Sequence, residues 1–126
     1  MNCLIITDTA NSPDRELGAF LQNQNIDCEQ VSDVFTGIRR VQERHYDIIL
    51  LDTGLGDVQI KQTIRLLKGC DPNARIIVQT RNNSRDLESA IRAEQVFYYH
   101  IQSFGLEDLT TAIQSALEHA RIQDFS

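Results

Sequence analysis

No stretch of this sequence approaches the ~18 consecutive apolar residues that a membrane span requires. Its first residues pass straight into a strand-like segment, with no basic region or signal-type apolar stretch before it. Basic residues are in the minority, 12 Lys and Arg against 18 Asp and Glu, for a formal charge of −6. That balance argues against a partner such as nucleic acid, which is held through a basic face that tracks phosphates. The acidic surface favours solubility and is compatible with a cation site. Cysteine is scarce and unpatterned. Cys3, Cys28 and Cys70 are odd in number and widely spaced, with neither C-x-x-C nor Cys/His ligand spacing. Cys3 and Cys28 lie in apolar strand-like runs and read as small buried hydrophobes. Free thiols suit a reducing compartment, so the expected location is the cytoplasm. His45, His100 and His119 are scattered without metal or triad spacing, and His119 reads as a dipole partner in the last helical turn. Linkers, repeats and low-complexity segments are also missing, which leaves one domain with one core.

What is present is a regular alternation of short apolar runs and helical patterns. The first run is Cys3-Leu4-Ile5-Ile6, followed by the polar Thr7-Asp8-Thr9. Ser12-Pro13 suits an N-cap and first helical position for a helix carrying Leu17, Phe20 and Leu21. A weaker strand covers residues 26–31. Ser32 or Asp33 can cap a helix with Val34, Ile38 and Val41 on one face. The strongest strand is Asp47-Ile48-Ile49-Leu50-Leu51-Asp52, whose four consecutive apolar residues imply cover on both faces. A turn containing Gly54 and Gly56 leads to a helix with Ile60, Ile64 and Leu67 inward. Pro72-Asn73 then breaks the chain before a strand at residues 75–78. Asn83 or Ser84 starts a helix with Leu87, Ala90 and Ile91. A fifth strand spans about residues 96–101, and a last helix carries Leu106, Leu109, Ile113, Ala116 and Leu117. Five βα units predict an α/β fold: a doubly wound, five-stranded parallel sheet of order 2-1-3-4-5 with helices on both faces. The domain spans residues 1–121 and a short tail follows at 122–126.

Ligands of such sheets bind outside the carboxyl ends of the strands, where the strand order reverses. Strand 1 delivers Thr7 and Asp8 there, strand 3 Asp52, strand 4 Thr80 and strand 5 Gln102. Asp8 or Asp52 alone reads as the cap of the following loop. Together, at the ends of adjacent central strands, they form an oxygen-donor pair suited to Mg²⁺, which takes one or two carboxylates and completes its shell with waters and phosphate oxygens. A carboxylate is also a nucleophile toward phosphorus, giving an aspartyl phosphate.

Over its whole length the sequence resembles the receiver domain of response regulators. Tyr46-Asp47-Ile48-Ile49-Leu50-Leu51-Asp52 is similar to the third-strand motif that ends in the phosphoacceptor, and Leu55 stands where the family has Leu or Met. Ile76-Ile77-Val78-Gln79-Thr80 is similar to the fourth strand. Phe104 and Glu107-Asp108-Leu109 match the start of the last helix. The resemblance implies that Asp52 accepts a phosphoryl group. It also implies a weak Mg²⁺ site made by Asp8, Asp52 and the Gly54 carbonyl, and a switch formed by Thr80 and Tyr99. The implied partners are a sensor histidine kinase or phosphotransfer protein, with homodimer or effector docking on the face of helix 4, strand 5 and helix 5. The chain would then be a signalling acceptor and not an enzyme.

The departures from the family are equally specific. Thr7 stands for the first of two acids, Gln102 for the lysine that grips the phosphoryl group, and Ser103 for the proline after it. Gly56 replaces a proline, Ile60 a glycine, and Arg81 a small residue. The family pocket carries three carboxylates and a lysine. Here two carboxylates and no lysine leave the same crude charge, so a cation is held as before while the phosphoryl loses its cationic donor. Arg81 is placed by sequence to supply that cation, or else opens helix 4 toward solvent. The Gln102–Ser103 bond is expected to be trans, since cis costs ~2.5–4 kcal/mol without proline. A phosphorylation-independent pseudo-receiver, used for protein docking, is the competing reading. A flavin carrier is disfavoured, because residues 7–12 lack the glycine of a phosphate loop and no Trp is present for ring stacking.

Overall fold

The computed structural model describes residues 1–7, 15–52, 57–80, 84–101 and 106–124. Five strands form one parallel sheet of order β2-β1-β3-β4-β5. They are β1 (Asn2–Thr7), β2 (Asp27–Val31), β3 (Ile48–Asp52), β4 (Ile76–Thr80) and β5 (Tyr98–Ile101). The helices α1 (Arg15–Asn23), α2 (Val34–Glu43), α3 (Asp57–Cys70), α4 (Arg85–Ala93) and α5 (Glu107–Asp124) complete the doubly wound fold that the alternation predicts.

The pleat divides the core in two. Leu4, Ile6, Ile49, Leu51, Ile76 and Val78 face α2, α3 and α4, where Val41, Ile60, Ile64, Leu67 and Ile91 cover them. Cys3, Ile5, Ile48, Leu50 and Ile77 face Leu17 and Leu21 of α1 and Leu109, Ile113, Ala116 and Leu117 of α5. Each fully buried Leu or Ile contributes about 1.5–3 kcal/mol of transfer free energy, which is why β3, buried at every position, anchors the sheet.

Four details differ from the sequence reading. β2 begins at Asp27 and is an edge strand with most side chains exposed, so Cys28 is exposed and not the buried hydrophobe expected. β5 begins at Tyr98, because Phe97 only donates its N–H to the Ile76 carbonyl at 2.8 Å. Helix α5 runs to Asp124, so residues 122–124 are helical where a tail was expected. His119 is therefore not in the last turn, and its Nδ1 accepts a hydrogen bond from Arg75 Nε at 3.0 Å. Arg75 is buried immediately before β4, and the His119 imidazole serves as an acceptor for its guanidinium.

Helix ends follow local chemistry. Asp33 caps α2, accepting from the Thr36 N–H at 2.8 Å, and Ser84 caps α4, accepting from the Leu87 N–H at 3.0 Å. That hydrogen bond and the Thr36 hydroxyl hold the Asp33 carboxyl below its usual range. After α4, Gln95 adopts φ 58°, a left-handed conformation that costs a side-chain-bearing residue about 1–2 kcal/mol. Its carbonyl accepts from Lys68 Nζ at 2.8 Å, a backbone bond that substitution leaves in place. Gln95→Gly is expected to stabilise the domain by about 0.5–1 kcal/mol, after the entropy glycine loses on folding. A urea melt measures this directly, and an unchanged or lowered midpoint contradicts it.

Candidate functional site

Asp52 is the last residue of the central strand and is 2 % exposed. Strand register sets its neighbours: Thr7 lies opposite on β1 and Gln79 opposite on β4, with His100 beyond on β5. Strand alternation puts Thr7, Asp52, Gln79 and His100 on the sheet face covered by α1 and α5. All four are buried. This polar row crosses four strands at the carboxyl edge of an otherwise apolar sheet, where burial of polar groups is costly unless they are bonded. In sequence Gln79 reads only as part of the fourth-strand motif and His100 only as a scattered histidine. The signal was a polar residue interrupting each of two strand runs in register, and register is readable only once the strands are paired.

Thr80 and Tyr99 occupy the other face. Val78 pairs with Tyr99 and Thr80 with Ile101, so Tyr99 and Thr80 are diagonal neighbours on the side of α3 and α4. Both are 5 % exposed. The Arg92 guanidinium of α4 lies over the Tyr99 ring, 5.6 Å from its centroid, and Arg92 Nε is 3.1 Å from a Glu88 carboxylate oxygen. Burial pushes the Tyr99 phenol above its ordinary value and the Glu88 charge adds to this, with Arg92 opposing. Asp52 and Thr80 therefore share the edge of the sheet where the strand order reverses, and the pleat aims them to its two sides.

Asp8, Gly54, Leu55, Gly56, Arg81, Gln102, Ser103 and Phe104 lie outside the described residues, as does the Gln102–Ser103 bond. Among the described residues no group of three or more His, Cys, Asp or Glu side chains is placed to hold a metal ion. The described part of the edge does supply oxygen donors, Asp52 and Thr7 side by side on one face, which suit a hard cation better than a soft one. Among the described residues no helix is long and apolar enough to cross a membrane. His45 stands at the opposite edge of the sheet, its Nδ1 2.6 Å from Asp71 Oδ2.

The chain matches the sequence profile of the response regulator receiver domain over residues 4–114. The chain belongs to this family. It is thus a receiver domain of two-component signalling. Solved structures show the same fold. A CheY-like receiver protein from Methanospirillum hungatei superposes with TM-score 0.83 at 16 % identity, covering 97 % of each chain. The NtrC4 receiver domain of Aquifex aeolicus gives 0.79 at 20 % identity, covering 93 % of this chain and 96 % of that one. The response regulator TrrA of Thermotoga maritima, solved in complex with Mg²⁺ and a beryllium fluoride, gives 0.75 at 16 % identity, covering 91 % and 97 %. No curated protein matches the chain.

Proposed function

We propose that this receiver accepts a phosphoryl group on Asp52 with the help of Mg²⁺, from a sensor histidine kinase or phosphotransfer protein in the cytoplasm. The supporting observation is the buried Asp52 carboxylate at the carboxyl end of the central strand, at the reversal of strand order. A carboxylate oxygen of Asp52 attacks phosphorus, forming the new P–O bond as the bond to the donor breaks. Asp52, Asp8 and the Gly54 carbonyl would hold the cation, which neutralises charge on the transferring oxygens. Thr80 presents a hydroxyl from the neighbouring strand, and Tyr99 on the same face as Thr80 carries the change toward α4. The domain is on this reading a stoichiometric acceptor and not an enzyme.

Gln102 makes this an atypical acceptor. A neutral amide donates weaker bonds than an ammonium, by about 1–1.5 kcal/mol. Gln102→Lys is expected to raise the steady-state phosphorylated fraction ratio about tenfold. Arg81 is the residue that would compensate, and Arg81→Ala should lower that ratio more than Arg85→Ala. Intact-mass measurement after incubation with acetyl phosphate and Mg²⁺ tests the reading. One added phosphoryl group supports it, and none with or without Gln102→Lys overturns it.

The presence of Thr7 and Gln102 where the family has an acid and a lysine favours a second reading, a pseudo-receiver that docks partners without phosphorylation. Either form would use the α4–β5–α5 face, for an effector or a second copy. A wild-type chain that binds its partner equally well as Asp52→Asn would support the second reading.

A further inference from the structure

We propose that Cys3 and Cys28 form a reversible disulfide, with exposed Cys28 as the site oxidised first by a hydroperoxide and Cys3 as its resolving partner. The two residues are direct register partners on the parallel strands β1 and β2, so their side chains leave the same face of the sheet. Neighbouring strands lie about 4.8 Å apart, inside the Cα separation of roughly 4.4–6.8 Å that a disulfide spans. The two thiols therefore face each other across the strand pair.

The pair is asymmetric in the way such chemistry requires. Cys3 is buried at 1 % exposure among Ile5, Leu17 and Ile48, shielded from solvent oxidants. Cys28 is exposed on the edge strand, beside a groove of about 360 Å³ whose lining includes Gly18, Leu21, Gln22 and Asp27. Interaction with the neighbouring Cys3 thiol lowers the Cys28 thiol below its ordinary value, against burial and the Asp27 charge, while interaction with Cys28 and burial raise Cys3. Nucleophile and resolver are thus distinguished by exposure and by charge preference.

The steps balance. The Cys28 thiolate attacks one peroxide oxygen, an S–O bond forms as the O–O bond breaks, and the leaving oxygen departs as hydroxide or alkoxide and takes a proton. The sulfur is oxidised to a sulfenic acid and the peroxide is reduced. The Cys3 sulfur then attacks Cys28, the S–S bond forms, and the S–O bond breaks to release water with the thiol proton. In a reducing compartment the resting form is the dithiol, and a thiol reductant restores it. The product staples edge strand β2 to β1 at the amino ends of the strands, the opposite end from Asp52, so it stands independently of phosphorylation.

The test is peptide mapping of the full chain after hydrogen peroxide. Trypsin releases Cys3 in residues 1–15, Cys28 in 16–39 and Cys70 in 69–75. The expected product is peptide 1–15 joined to 16–39, lighter by two hydrogen atoms and separated again by a thiol reductant. Cys70→Ser should keep this product and Cys28→Ser should lose it. Cys3→Ser should strand Cys28 as a sulfenic acid that a cyclic dione captures. If that variant fails to fold, the wild-type map still decides. Cys28 joined to Cys70 or to a second copy, Cys28 over-oxidised beside an unmodified Cys3, or three thiols still open to alkylation would each overturn the proposal.

Discussion

Asp52→Asn is expected to remove phosphoryl incorporation entirely, while the variant still melts cooperatively. The substitution keeps side-chain shape at a site that is 2 % exposed, exchanging one acceptor oxygen for an amide donor, so the strand end remains packed. What disappears is the anionic oxygen that attacks phosphorus, and an amide offers no comparable nucleophile. The cation loses one of its carboxylates at the same time, which compounds the loss. The measurement is intact mass after acetyl phosphate and Mg²⁺, with wild type run in parallel. Equal incorporation by the variant would move the acceptor away from Asp52 and remove the basis of the proposed function. Thr80→Ala separates the roles further: it should lower incorporation without abolishing it, because the Thr80 hydroxyl only stabilises the transferring group.

The sheet was legible because its central strands are apolar at consecutive positions. Ile48 to Leu51 and Ile76 to Val78 are short apolar runs bounded by polar or turn residues, which fits strands covered on both faces, and the helices between them carry their apolar residues at helical spacing. β2 was harder to bound, because an edge strand buries little and its composition shows little. Cys28 reads as a buried hydrophobe from its residue type and from Ile26 and Val31 at the ends of its run, although Asp27, Glu29 and Gln30 beside it are polar, and its place at the sheet edge exposes it. Asp52 could be read as a strand-end residue because it follows an unbroken apolar run, and Thr80 because it closes the run Ile76-Ile77-Val78-Gln79. Gln79 and His100 could not, because their significance is the register row they complete with Thr7 and Asp52. Pairings of that kind are long-range and leave no local pattern. His119 likewise reads from sequence as a helix-end residue, while its partner, Arg75, is 44 residues away in sequence.

The same long-range logic gives the largest expected effect on stability, at Gly37 in the middle of α2. Glycine there looks like a defect, since alanine is favoured by about 1 kcal/mol in a helix interior. Its neighbour across the interface explains it. A Cβ at position 37 would stand 2.5 Å from Ile6 Cδ1 and 2.8 Å from Ile6 Cγ1, closer than carbon atoms approach. Ile6 is 1 % exposed on β1, one residue before Thr7, so it has little room to retreat. α2 can pack this closely on β1 only because position 37 has no side chain. Gly37→Val adds a branched side chain to that contact and is expected to destabilise the domain by about 3 kcal/mol, the upper end of ordinary overpacking. Gly37→Ala should cost less, because its helix preference offsets part of the clash. Removing the Ile6 terminal methyl tests the cause. In an Ile6→Val background the cost of Gly37→Ala should shrink, giving a coupling of at least about 0.5 kcal/mol in a double-mutant cycle followed by urea denaturation. Additive losses would place the effect in the helix backbone and not in the contact between Gly37 and Ile6.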